Sequence, residues 1–138
     1  MAMKKFLPFL TFVCLCVGSV NAGPEHKISA EQAKALVMAS LSPQQRALPN
    51  VEAEQYSPPK PTKFLFFTVT WEGATNGSVV VGNYAVDPQT GDVWSATSSC
   101  EEETNKGLRA LQSELRATTL RLSRSQYHQL KTKGPLCD

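Results

Sequence analysis

The chain has 138 residues, with 14 Lys and Arg against 12 Asp and Glu, a formal charge of +2 and 41% hydrophobic residues. It is long enough for one modest core and too short for several domains. Its charge excludes a general nucleic-acid or anionic-membrane binder, which needs a clear basic excess.

Lys4 and Lys5 form a short positive region, followed by the apolar stretch Phe6 to Val17. Val20-Asn21-Ala22 then gives an A-x-A-like exit, so residues 1–22 are read as a secretory signal peptide cleaved after Ala22. The apolar run is shorter than the roughly 20 residues of a spanning helix. Val13 and Leu15 precede Cys14 and Cys16, and neither is the small residue that lipid attachment requires. Both thiols therefore leave with the leader, and no stable membrane anchor is expected. The mature protein, residues 23–138, is expected to act in the periplasm or outside the cell. Loss of Lys4 and Lys5 brings its charge near zero. Cys100 and Cys137 are then the remaining cysteines, and an oxidising compartment predicts a disulfide between them. Closing that loop contributes ~4 kcal/mol by the chain-entropy relation.

Ile28 to Leu41 reads as an amphipathic helix: Ser29 and Gln32 have capping-box spacing, and Ala33, Leu36, Val37 and Leu41 share a face. Pro43 is expected to stop it. Residues 42–62, with Ser57-Pro58-Pro59-Lys60-Pro61, read as an extended linker, because proline lacks the amide donor. Lys63 to Trp71 alternates as a strand, with Leu65, Phe67, Val69 and Trp71 on the core side. Asn76-Gly77 suits a hairpin turn, and Val79 to Val86 returns with Val80, Gly82, Tyr84 and Val86 on one face. Asp87 to Asp92 is a second tight turn, and Val93-Trp94 opens a third strand.

Ser99 and Glu102 repeat the capping-box spacing, with Glu101, Glu102 and Glu103 placed in the first turn of a helix carrying Leu108, Leu111, Leu115 and Leu122. Arg109, Arg116, Arg121 and Arg124 read as a solvated face. Ser123 and Gln126 cap a last short helix, with Leu122 and Tyr127 as its staple and Gly134-Pro135 as its end. The fold class is α+β: an N-terminal helix on a three-stranded antiparallel meander, then one or two C-terminal helices.

Ile28-Ser29-Ala30-Glu31-Gln32-Ala33 and Tyr84-Ala85-Val86-Asp87-Pro88-Gln89-Thr90-Gly91-Asp92-Val93 resemble the opening helix and the hairpin of PepSY domains, over residues 28–95. The resemblance implies a helix packed on an antiparallel sheet and a non-catalytic extracytoplasmic module, often linked to restraining secreted peptidases.

No G-x-S-x-G, H-E-x-x-H or phosphate-loop pattern occurs. His26 and His128 read as surface residues. Asp87 and Asp92 read as local turn acceptors, without the further spaced oxygens of a calcium loop. No catalytic residue, metal or cofactor is assigned. The function read from these residues is that of an exported, non-catalytic inhibitory or immunity-type protein with a protein partner such as a secreted peptidase or envelope-directed toxin. The alternative is a small secreted hydrolase with an unrecognised site. Trp71 is assigned to the core. The partner surface is placed on Tyr84, Asp87, Asp92 and Trp94, with Trp94 on an open edge strand.

Overall fold

The computed structural model describes residues 26–73, 77–96, 101–132 and 134–135. The expected leader, Cys14, Cys16, Asn76, Ser99 and the expected Cys100–Cys137 bond lie outside them.

The first helix, α1, is Ala30–Ser40. Its capping box forms as the spacing predicts: the Ser29 hydroxyl accepts from the Gln32 amide, and the Gln32 side chain accepts from the Ser29 amide. Ala33, Leu36 and Val37 are buried along one face, and Leu41 is buried just beyond it. Pro43 does more than end α1. Ser42 caps a single-turn helix, α2 (Pro43–Arg46), in which the proline sits in the first turn, where no amide donor is needed.

The sequence predicts three strands and an extended linker over 42–62. The structure places a further strand, β1 (Glu52–Tyr56), inside that linker. β2 is Leu65–Glu72, β3 is Ser78–Val86 and β4 is Val93–Ser95. The four-stranded antiparallel sheet runs β1-β2-β3-β4. β1 was hidden because Glu-Ala-Glu-Gln-Tyr carries one buried residue, Ala53, and so lacks the apolar alternation of a central strand.

Phe67 and Val69 of β2 point into the main core, as their alternation predicts. On β3 the alternation breaks. Val69 pairs with Gly82 but Thr70 pairs with Val80, so Val81 is an extra residue and the register slips by one. Val81 therefore packs against the core, while Val80, read from the sequence on one face with Tyr84 and Val86, is 57% exposed.

α3 (Lys106–Thr118) lies against α1, and α4 (Arg124–Leu130) follows. α3 does not begin at Ser99. Its N-cap is Asn105, whose Oδ1 accepts from the Leu108 amide. The same side chain's Nδ2 donates to the carbonyls of Ala39 and Ser40 at 2.9 Å, the last turn of α1. One asparagine thus serves unpaired groups at two helix ends. Leu108 and Leu115 are buried in the core together with Leu120, which follows the helix. The Ser123–Gln126 capping box of α4 forms as predicted. No helix among the described residues is long and apolar enough to cross a membrane.

Candidate functional site

Among the described residues, the turn between β3 and β4 is densely bonded by polar groups. Asp87 accepts from the Gln89 amide through Oδ1 at 2.9 Å and from the Lys63 ammonium through Oδ2 at 2.8 Å. The Asp87 carbonyl accepts from the amides of Thr90 and Gly91, and Gly91 takes φ +72°, a conformation glycine adopts without strain. Gln112 of α3 donates to the Gly91 carbonyl at 2.9 Å.

Asp92, 1% exposed, gathers groups from both C-terminal helices. Its Oδ2 accepts from the Thr90 hydroxyl at 2.9 Å. Its Oδ1 accepts from Arg116 at 2.6 Å and from the Tyr127 hydroxyl at 2.9 Å. Arg116 also donates to the Thr90 carbonyl at 2.7 Å, and its guanidinium stacks 4.0 Å from the Tyr127 ring centre. Burial pushes the Asp92 carboxyl up, and the bonds from Thr90, Arg116 and Tyr127 offset only part of that. Tyr127 is raised by burial and by the Asp92 charge. Lys131 pairs with Glu102 at 2.9 Å. Burial opposes the Lys131 charge, but its hydrogen bonds to Glu102 and Tyr127 prevail and raise its pKa. The reading of Arg116 as part of a solvated face is thereby corrected; Arg109, Arg121 and Arg124 are exposed as expected. The cluster fastens α3 and α4 to the sheet.

The four residues assigned to a partner surface are all buried. Tyr84 is buried in the main core, its ring lying over Gly82. Asp87 and Asp92 are buried acceptors. Trp94 packs with Phe66 and Ala85 in a second cluster on the opposite face, and its indole N–H meets no acceptor among the described residues. Nor is the edge beyond Trp94 open. The Ser95 amide donates to the Glu101 carbonyl, the Glu103 amide donates to the Val93 carbonyl, both at 2.8 Å, and Trp94 is bridged to Glu102. Glu101–Glu103, expected in a helical first turn, are thus extended and cover β4. Burial and the neighbouring Glu101 charge raise the Glu103 carboxyl.

The open edge is on the other side of the sheet. β1 pairs with β2 along its whole length, and among the described residues no strand or backbone group pairs with its outer side. Glu54 and Gln55 stand exposed there, and Tyr56 is half-exposed against the Phe66 ring, 5.7 Å between centres. Sequence reasoning missed this edge because it missed the strand. Among the described residues no group of three or more His, Cys, Asp or Glu is placed to hold a metal ion. His26 and His128 are exposed.

Comparison with known proteins brings in one likeness. A chain of a solved structure, described as a type VI secretion system effector-immunity complex from Pseudomonas protegens, is 27% identical, with a TM-score of 0.55 over 72% of this chain and 83% of that one. The fold is therefore one already seen in a chain that works in a complex between two proteins. No family model and no curated protein matches the sequence.

Proposed function

We propose that this chain is an exported immunity-type protein, which protects the cell by binding and blocking a toxin delivered to the envelope. The observation that carries the reading is the likeness, in both fold and sequence, to a chain of a type VI effector-immunity complex. The leader pattern of residues 1–22 supports an immunity role over an effector role, since export would bring the protein to the compartment an envelope toxin enters. A domain tied by a buried polar network and without a catalytic motif suits a rigid binding partner. The PepSY resemblance is compatible with it, because restraint of a secreted enzyme is the same kind of task.

The test is competition between sister strains. Cells lacking the gene are grown against cells with active type VI secretion, and should die unless the full-length chain is restored. A version lacking residues 1–22 should not rescue them. Equal survival with and without the gene, across attackers that secrete different effectors, would refute the reading.

A further inference from the structure

The immunity reading leaves open which surface meets the partner, and β1 answers the geometric requirements. It is an edge strand whose outer backbone groups have no partner among the described residues. Such an edge is a template for another chain. Beside it, between α1 and β1, runs a groove of about 510 Å³. Met38, Val51 and Ala53 supply its apolar surface, and Lys34, Glu52 and Glu72 its charges.

The charges fix the kind of partner. Glu52 and Glu72 line the groove beside one lysine, Lys34, which reaches Glu52 at 3.4 Å, and Glu54 follows on the same strand as Glu52. Glu72 is engaged by the neutral Asn50 amide at 2.6 Å. Glu54 is exposed and has no ion-pair partner among the described residues. The edge is therefore left with excess negative charge. A second copy of this chain is a poor occupant, because antiparallel pairing of β1 with itself would centre on Glu54 and set two carboxylates face to face. An arginine or lysine suits the groove, since its aliphatic stem can lie on Met38 and Val51 while its cation meets the carboxylates.

We propose that the open edge of β1 docks an extended, basic segment of the partner protein, which adds as a further strand and sets an arginine or lysine in the groove between α1 and β1. This proposal rests on the protein-binding reading above. Backbone pairing supplies the attachment, and Glu52, Glu54 and Glu72 select against acidic strands.

The probe is a pair of synthetic peptides of about ten residues, alternating valine with arginine in one and valine with glutamate in the other. Affinity for the protein purified as the cell makes it is read by fluorescence anisotropy, and the contact is mapped by backbone NMR shifts. The arginine peptide should bind at least about tenfold tighter, with shifts centred on residues 51–56 and Met38. The double variant Glu52→Lys/Glu54→Lys should reverse the preference while its unbound spectrum keeps the native dispersion. Equal affinity for the two peptides, no binding of either, or shifts centred elsewhere would overturn the proposal. In the sister-strain assay the same double variant should lose protection. A wild type that fails to protect overturns the immunity reading, whereas a wild type that protects beside a charge-reversed variant that protects equally overturns the edge assignment.

Discussion

Replacing Arg116 by alanine tests what holds the C-terminal helices in place. The change removes three contacts at once: the 2.6 Å bond to Asp92, the 2.7 Å bond to the Thr90 carbonyl and the stack on Tyr127. Hydrogen bonds from a charged guanidinium contribute about 1.5–3 kcal/mol each, and the stack adds about 0.5–1 kcal/mol. These terms overlap, and a buried carboxylate left behind can take up a proton, so the expected loss is about 3 kcal/mol at neutral pH. For a domain of this size that lowers the melting temperature by roughly 10 °C. Arg116→Lys should recover only part of it, because an ammonium cannot serve Asp92 and Thr90 with one planar fork. Urea unfolding of Arg116→Ala, Asp92→Asn and the double variant would give the coupling between the two side chains. The loss should shrink as the pH falls, because burial favours the protonated Asp92 carboxyl. A loss under about 0.5 kcal/mol, or additive single effects, would refute the view that this pair anchors α3 to the β3–β4 turn.

Asn105→Ala should cost about 2 kcal/mol in urea unfolding, since it removes the cap of α3 and the donors to two α1 carbonyls; Asn105→Asp should keep the cap and lose the donors, falling between. A Cβ on Gly82 would come within 3.1 Å of the Tyr84 ring, so Gly82→Ala should destabilise by about 1 kcal/mol, measured by the same method. The Asp92 carboxyl is raised by burial above its ordinary 3.8, so its contribution to stability is fully present below pH 3.8 and is lost as the pH rises through its folded value. The stability of wild type relative to Asp92→Asn should therefore fall as the pH rises from 3.8, and a difference constant with pH would contradict this. N-terminal sequencing of exported protein should begin at Gly23, and non-reducing mass analysis should show Cys100 and Cys137 joined.

What could be read in the sequence was what neighbouring residues decide among themselves. The boxes at Ser29–Gln32 and Ser123–Gln126 each link residues three apart, and both form. The turn from Asp87 to Asp92 and the inward face of α1 were legible for the same reason. What stayed hidden depended on residues far along the chain. β1 is a strand because β2 pairs with it, not because its own residues alternate. Glu101–Glu103 have the look of a helical first turn, but β4 offers them backbone partners and they extend. Arg116 looked solvated until the fold brought Asp92, 24 residues away in sequence, to its guanidinium. The bulge at Val81 moved Val80 to the surface without any glycine or proline at that residue to announce it.

The shared cap at Asn105 has a consequence for the order in which the chain can fold. The last carbonyls of α1 find their donor 65 residues later, so a nascent chain cannot complete that helix end until most of the sheet has left the ribosome. The link rewards only a contact that is costly in loop entropy, which favours slow, late docking over early local collapse. On the proposed export reading that delay serves threading through a secretion channel, since the first helix stays unlocked until the last third of the chain arrives.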